Sequence, residues 1–219
     1  SKLLKNSLVF FIGTLGSKII SFVIVPCYTY VLTTEEYGSA DLITTTINML
    51  APFVMVGMNE AVLRFSVSRE DSVEGIATNS LAVVTAGSAV SWLLFPLFAR
   101  VSIIGDNVAL FLPLLTLTCF NNVFLQLLRG IGKSRSFAFN GVLITFFMAS
   151  ANVVALAVFH FGVKGYLASM LLAQAVGAIH IILSCRLWSL VSFKALDRRL
   201  TKRMLVYCIP LIPNSLMWW

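Results

Sequence analysis

Six stretches of the chain are apolar on nearly every side: Leu8–Leu32, Leu42–Val62, Ile76–Phe98, Val108–Leu128, Phe137–Phe159 and Tyr166–Leu190. Each reaches the roughly 20 residues that a spanning helix needs. None has the one-sided periodicity of a soluble surface helix, and none shows the ten-residue alternation of a barrel strand. The pattern predicts six antiparallel transmembrane helices joined by short polar turns. A seventh apolar run begins at Met204 and reaches Trp219, too short to cross by itself. The first run exceeds the roughly 7–15 residues of a signal-peptide core, and further spans follow it, so it reads as a span rather than a leader.

Composition agrees. Hydrophobic residues make up 58% and charged residues 11% of the 219, and the mean hydropathy is +0.92. A soluble domain of this size leaves too much surface in water to hide that apolar content, and disorder requires the opposite bias. The expected class is an all-α membrane protein.

The charge of +7 is first of all a matter of topology. Thirteen of the sixteen basic residues fall on one side: Lys2, Lys5, Arg64, Arg69, Arg129, Lys133, Arg135, Arg186 and the run from Lys194 to Arg203. The other side has Arg100 and Lys164. The positive-inside rule then puts the N-terminus in the cytoplasm. The expected organisation is a six-helix lobe over residues 1–193, a basic cytoplasmic linker over 194–203, and the start of a second lobe over 204–219. A helix end at Trp219 would leave carbonyls unpaired in lipid, so the chain reads as the first half of a longer protein.

One cation remains unexplained by topology. Lys18 stands near the middle of the first span, where insertion costs about 2.5–3.5 kcal/mol. It shares a helix face with Ser7, Thr14, Ser21 and Tyr28, at separations of three, four or seven positions. In the second span Asp41, Thr45, Asn48, Pro52, Met55 and Asn59 form a similar stripe, and Asn122 lies on the fourth beside Asn121 and Gln126. Isolated polar residues serve as helix-to-helix glue, worth about 0.6 kcal/mol on average. The stripes of the first two spans point instead to a hydrated cavity. Lys18, Thr14, Ser21, Tyr28, Thr45, Asn48, Asn59 and Asn122 are its candidate lining, with Lys18 placed to meet an anionic group. Pro26, Pro52 and Gly57 are candidate kink or gating positions. Glu60 and Arg64, four positions apart, are expected to form a structural ion pair. Gly13/Ser17/Ser21, Gly87/Ser91 and Ser169/Ala173/Gly177 permit close helix approach.

Other motifs lead nowhere. Gly132-Lys133-Ser134 ends like a phosphate-binding loop, but Leu127 replaces the first glycine and no strand precedes it. Cys27, Cys119, Cys185 and Cys208 are scattered through apolar runs, and His160 and His180 lie near no carboxylate at ligand or triad spacing. No acid–base pair suggests an enzyme, and no cofactor, metal or nucleic-acid site is expected.

Leu15-Gly-Ser-Lys18, Pro26, Tyr28, Leu32-Thr-Thr-Glu-Glu-Tyr-Gly38 and Asp41-Leu42 resemble the opening of bacterial polysaccharide flippases. Gly57-Met-Asn-Glu-Ala61, Arg64-Phe65, Arg129-Gly130 and Ser134-Arg-Ser136 follow in the same order. The resemblance covers the chain as the N-terminal half of a protein in the MATE-like MOP superfamily. It implies two six-helix lobes around a central cavity, residence in the bacterial cytoplasmic membrane, and movement of undecaprenyl-diphosphate-linked oligosaccharide to the outer leaflet. Lys18 is the position that would hold the diphosphate, and coupling to Na⁺ or H⁺ is left open. The cargo's chemistry fits such a cavity. Each sugar hydroxyl taken into hydrocarbon without a partner costs about 2–7 kcal/mol, so the head group needs a wet polar path. Two rivals stand beside this reading: a drug or cation antiporter of the same superfamily, and a membrane scaffold that transports nothing.

Overall fold

The computed structural model describes residues 31–216, together with Leu15, Lys18, Ile19 and Phe22 of the first apolar run. Thr14, Ser21, Pro26 and Tyr28 lie outside the described residues. Helices dominate, and no strand occurs among the described residues. We number the longer helices α1 (Thr34–Val54), α2 (Met58–Ser68), α3 (Val73–Leu93), α4 (Val108–Gly130), α5 (Ser134–Asn152), α6 (Gly162–Cys185) and α7 (Arg198–Cys208). A π-helical turn, Val153–Val158, extends α5.

Helices α3, α4, α5 with its π turn, and α6 are each long and apolar enough to cross a membrane. Helices α1 and α2 are long and apolar enough only together, as a pair bent by 54° at a short break. This is a multi-pass membrane protein. Two of its spans begin at side-chain caps supplied by the sequence. Thr33 and Glu36 form a reciprocal capping box at the start of α1, and Ser72 caps α3 through the Gly75 amide.

The bend follows from local chemistry. Pro52 has no amide proton to give within α1. The chain then turns left-handed at Val56 (φ 52°) and Gly57 (φ 64°), and the Gly57 amide donates back to the Pro52 carbonyl at 2.8 Å. The break therefore falls at Met55–Gly57, just past the proline.

Helix α4 is the axis of the bundle, packed against α1, α2, α3 and α6. Phe111, Leu115, Phe124 and Leu127 of α4 are buried against Ile43 and Ile47 of α1, Met58 and Val62 of α2, and Leu167 and Ile181 of α6. Small residues set the spacing. A Cβ on Gly87 of α3 would stand 1.8 Å from the Val54 carbonyl oxygen, so only glycine permits that approach. Ser169, Ala173 and Gly177 are all buried along one face of α6, as their spacing requires.

The segment after α6 is more ordered than a bare linker. Phe193–Ala195 forms one 3₁₀ turn, and α7 begins within the basic run, capped by Asp197. Leu200, Met204 and Cys208, four residues apart, bury one side of α7 against the bundle.

Candidate functional site

Helix α1 has two sides. Ala40, Ile43, Ile47, Ala51 and Met55 face the core, while Asp41, Leu42, Thr45, Met49 and Phe53 are exposed and Asn48 is half-buried. Of the polar stripe read from the sequence, Asp41, Thr45 and Asn48 thus look out of the lobe, whereas Pro52 and Met55 are buried and do not share that face. Lys18 is helical and exposed, and so are Leu15, Ile19 and Phe22, which lie on its face of the first span. Asn122 is exposed on α4. Asn59 is half-buried and donates to Glu60 Oε1 at 3.1 Å. No hydrogen bond or ion pair joins Lys18, Thr45, Asn48, Asn59 and Asn122 to one another among the described residues. What they share is exposure, complete or partial, on surfaces the lobe's own helices leave open.

Glu60 and Arg64 do not form the expected ion pair. Glu60 takes the Asn59 amide, and the Arg64 guanidinium lies 5.0 Å from the centre of the Tyr207 ring. The aromatic face of α7 competes successfully for the arginine, an attraction between cation and ring that helical spacing alone does not reveal.

Other polar residues inside the bundle act as glue. Asn121 of α4 donates to the Gln174 carbonyl of α6 at 2.9 Å and also to its side-chain oxygen. Asn140 of α5 donates to the Gly177 carbonyl at 2.9 Å and meets His180 Nδ1 at the same distance. Ser184 contacts the other ring nitrogen of His180 at 3.0 Å.

A tighter polar cluster holds α7, and the sequence reading did not single it out. Asn79 of α3 is fully buried. Its Nδ2 donates to the carbonyls of Gly75 and Ala195, and its Oδ1 accepts from the Asp197 amide and the Thr201 hydroxyl. Thr78 beside it accepts from the Ser192 amide at 3.2 Å. Arg203 donates to Asp71 at 3.0 Å, reaches Glu70 at 3.7 Å, and lies 5.3 Å over the Phe65 ring. No cluster of three or more His, Cys, Asp or Glu side chains suited to a metal ion occurs among the described residues.

This helical arrangement, with an uncovered polar face, defines the class. The lobe has the fold of the MATE transporters of the MOP superfamily. A MATE structure in the straight conformation superposes with a TM-score of 0.78 at 18% identity, covering 97% of this chain and 52% of that one. An outward-facing multidrug resistance MATE transporter gives 0.77 at 19%, with the same coverage of each chain. A MOP superfamily transporter from Pyrococcus furiosus gives 0.76 at 20%, again covering 97% and 52%. The chain spans about half the length of these solved structures. The sequence narrows the class: residues 3–219 match the family model described as polysaccharide biosynthesis protein, and the chain belongs to that family. No curated protein sequence matches it.

Proposed function

We propose that this chain is the N-terminal lobe of a flippase. The protein would carry undecaprenyl-diphosphate-linked oligosaccharide from the cytoplasmic to the outer leaflet of the bacterial inner membrane. The carrying observation is Lys18, exposed on a span whose neighbouring exposed residues are apolar. A mid-span ammonium facing lipid is costly, so that surface must meet water, protein or an anion. The uncovered Asp41, Thr45 and Asn48 of α1 need the same kind of surroundings. A cavity between this lobe and a second one supplies them, with Lys18 meeting the diphosphate and the amides and hydroxyls meeting sugar. An inside-negative potential favours outward movement of the anion, by about 2.3 kcal/mol per charge per 100 mV. Na⁺ or H⁺ coupling is compatible with this scheme.

The MATE fold also favours a drug or cation antiporter, and exposed Asp41 would suit a cationic cargo. Membership of the polysaccharide biosynthesis family and a cationic Lys18 weigh toward the anionic cargo. The Pyrococcus furiosus transporter is itself described as having a binding pocket of reversed polarity that suggests a different function.

The test is polysaccharide export in cells carrying Lys18 variants at normal expression. Lys18→Ala is expected to abolish export and Lys18→Arg to retain part of it. Full export by the Ala variant removes Lys18 from the mechanism. Drug resistance without any effect on surface glycans would favour the antiporter.

A further inference from the structure

At the end of the bundle opposite the basic loops, two cavities meet. One is an apolar groove of about 710 Å³ lined from α4, α5, the π turn and α6, with Phe147, Val154, Phe159, Phe161 and Leu172 among its walls. Lys164 is the one charged residue among the described residues that line it. The other cavity, about 450 Å³, is polar and is lined by Glu36, Asp106, Asn107 and His160. Phe161 and Lys164 line both, so the two form one amphipathic site with an ammonium at the junction. Lys164 is exposed, and none of the ion pairs among the described residues includes it.

The groove is built into the fold. The π turn Val153–Val158 contributes Val154 and Ala155 to its wall, and π turns are rare features found often at functional sites. Gly165 brings α6 tightly against that turn: a Cβ there would stand 2.8 Å from the Phe161 Cβ and 3.3 Å from the Ala155 Cβ. The exposed rings of Phe159 and Phe161 stack at 5.3 Å, with 9° between their planes. From Lys164 to Leu172 the groove runs about 12 Å down α6, at 1.5 Å per residue.

The polar cavity is equally specific. Glu36 Oε2 is occupied by the Thr33 capping bonds. Its Oε1 sits where a Cβ on residue 162 would collide, at 2.5 Å, so Gly162 leaves it room. Asn107 lines the same cavity beside Asp106 and His160.

We infer that this site holds one phosphate-bearing amphiphile, with its hydrocarbon chain in the groove, its phosphate at Lys164 and a hydroxyl-rich head in the polar cavity. Glu36 and Asp106 accept hydrogen bonds from sugar hydroxyls but repel a phosphate beside them, so the phosphate lies on the groove side of Lys164 and a saccharide fills the polar cavity. The occupant is the lipid-linked saccharide of the flippase reading, on which this inference rests, held at the end where it leaves the protein.

The test uses the intact transporter in nanodiscs, with undecaprenyl-diphosphate-linked saccharide and phosphatidylglycerol as separate probes, read by native mass spectrometry. Lys164→Ala is expected to lower retention of the saccharide lipid about tenfold, one charge-assisted contact. Ala168→Trp, which fills the groove, should do the same, and Lys164→Arg should keep most of the retention. Phosphatidylglycerol retention should not change with any of them. Equal loss of both lipids, or no loss of either, overturns the site. Export that continues while retention is insensitive to Lys164 and Ala168 contradicts the site and leaves the flippase reading standing. Lysine-dependent retention in a protein that fails to export contradicts the flippase reading and leaves the site.

Discussion

Val56 and Gly57 both turn left-handed at the break between α1 and α2, and they bear it unequally. For a β-branched residue that conformation costs about 1–2 kcal/mol, whereas glycine adopts it freely. Gly57 is also confined: a Cβ there would stand 3.2 Å from the Cys208 carbonyl oxygen and 3.4 Å from Ile212. Gly57→Ala is therefore expected to destabilise the protein by about 1–2 kcal/mol, read as a lower midpoint of thermal unfolding in detergent. Val56→Gly relieves strain at some entropic cost and should shift the midpoint little. Equal and large losses from both would show that the break tolerates no change, whatever its backbone conformation. At this scale the sequence was readable where one residue's own chemistry decides. Pro52 and Gly57 could be named because one lacks a donor and the other lacks a Cβ. Arg64 could not, because its partner Tyr207 is 143 positions away and no spacing rule links them.

Helix α7 shows how an element is held. Two kinds of contact fasten it, and their magnitudes differ. The Arg203 pairs are half or more exposed on the arginine side, and such pairs contribute about 0–1 kcal/mol. Asn79 is fully buried and satisfies three groups of the approach to α7 and its first turn. Removing it leaves those groups unpaired, at about 1–3 kcal/mol for each that stays dry. Asn79→Ala is thus expected to destabilise by about 2–3 kcal/mol and to speed amide hydrogen exchange across 195–208, while Arg203→Ala does little. Faster exchange in the arginine variant than in the asparagine variant would reverse that ranking. The signals for α7 were legible but were read as a linker over 194–203: Asp197 is a good N-cap, and Leu200, Met204 and Cys208 repeat every four residues. The clamp was not, since Asn79 and Asp197 are 118 positions apart and a buried Asn in a span reads equally as glue anywhere.

The whole lobe follows from a simple requirement: apolar helices in lipid must satisfy their backbones internally, and their polar side chains must find partners or water. That requirement made the membrane class visible in the apolar runs alone, and the limits of α3 to α6, π turn included, to within about five residues, but not the start of α1 at Thr34 or its break from α2. It also led to a polar stripe read as cavity lining, of which Asp41, Thr45 and Asn48 share an uncovered side of α1 while Pro52 and Met55 are buried. Inside the bundle Asn121, Asn140, Gln174 and His180 pair across helices, whereas Thr45 on α1 and Lys18 on the first span are left uncovered. In the proposed flippase this uncovered polar face borders water along the transport path. Single cysteines at Thr45, Asn48 and Phe146 of the intact protein in its membrane test it, probed with a charged, membrane-impermeant maleimide from each side. Phe146 is exposed on α5 but apolar, and serves as the lipid-facing control. The cysteines replacing Thr45 and Asn48 are expected to react from at least one side, while the one replacing Phe146 does not. Cysteines at Thr45 and Asn48 as unreactive as the control, from both sides, would contradict it.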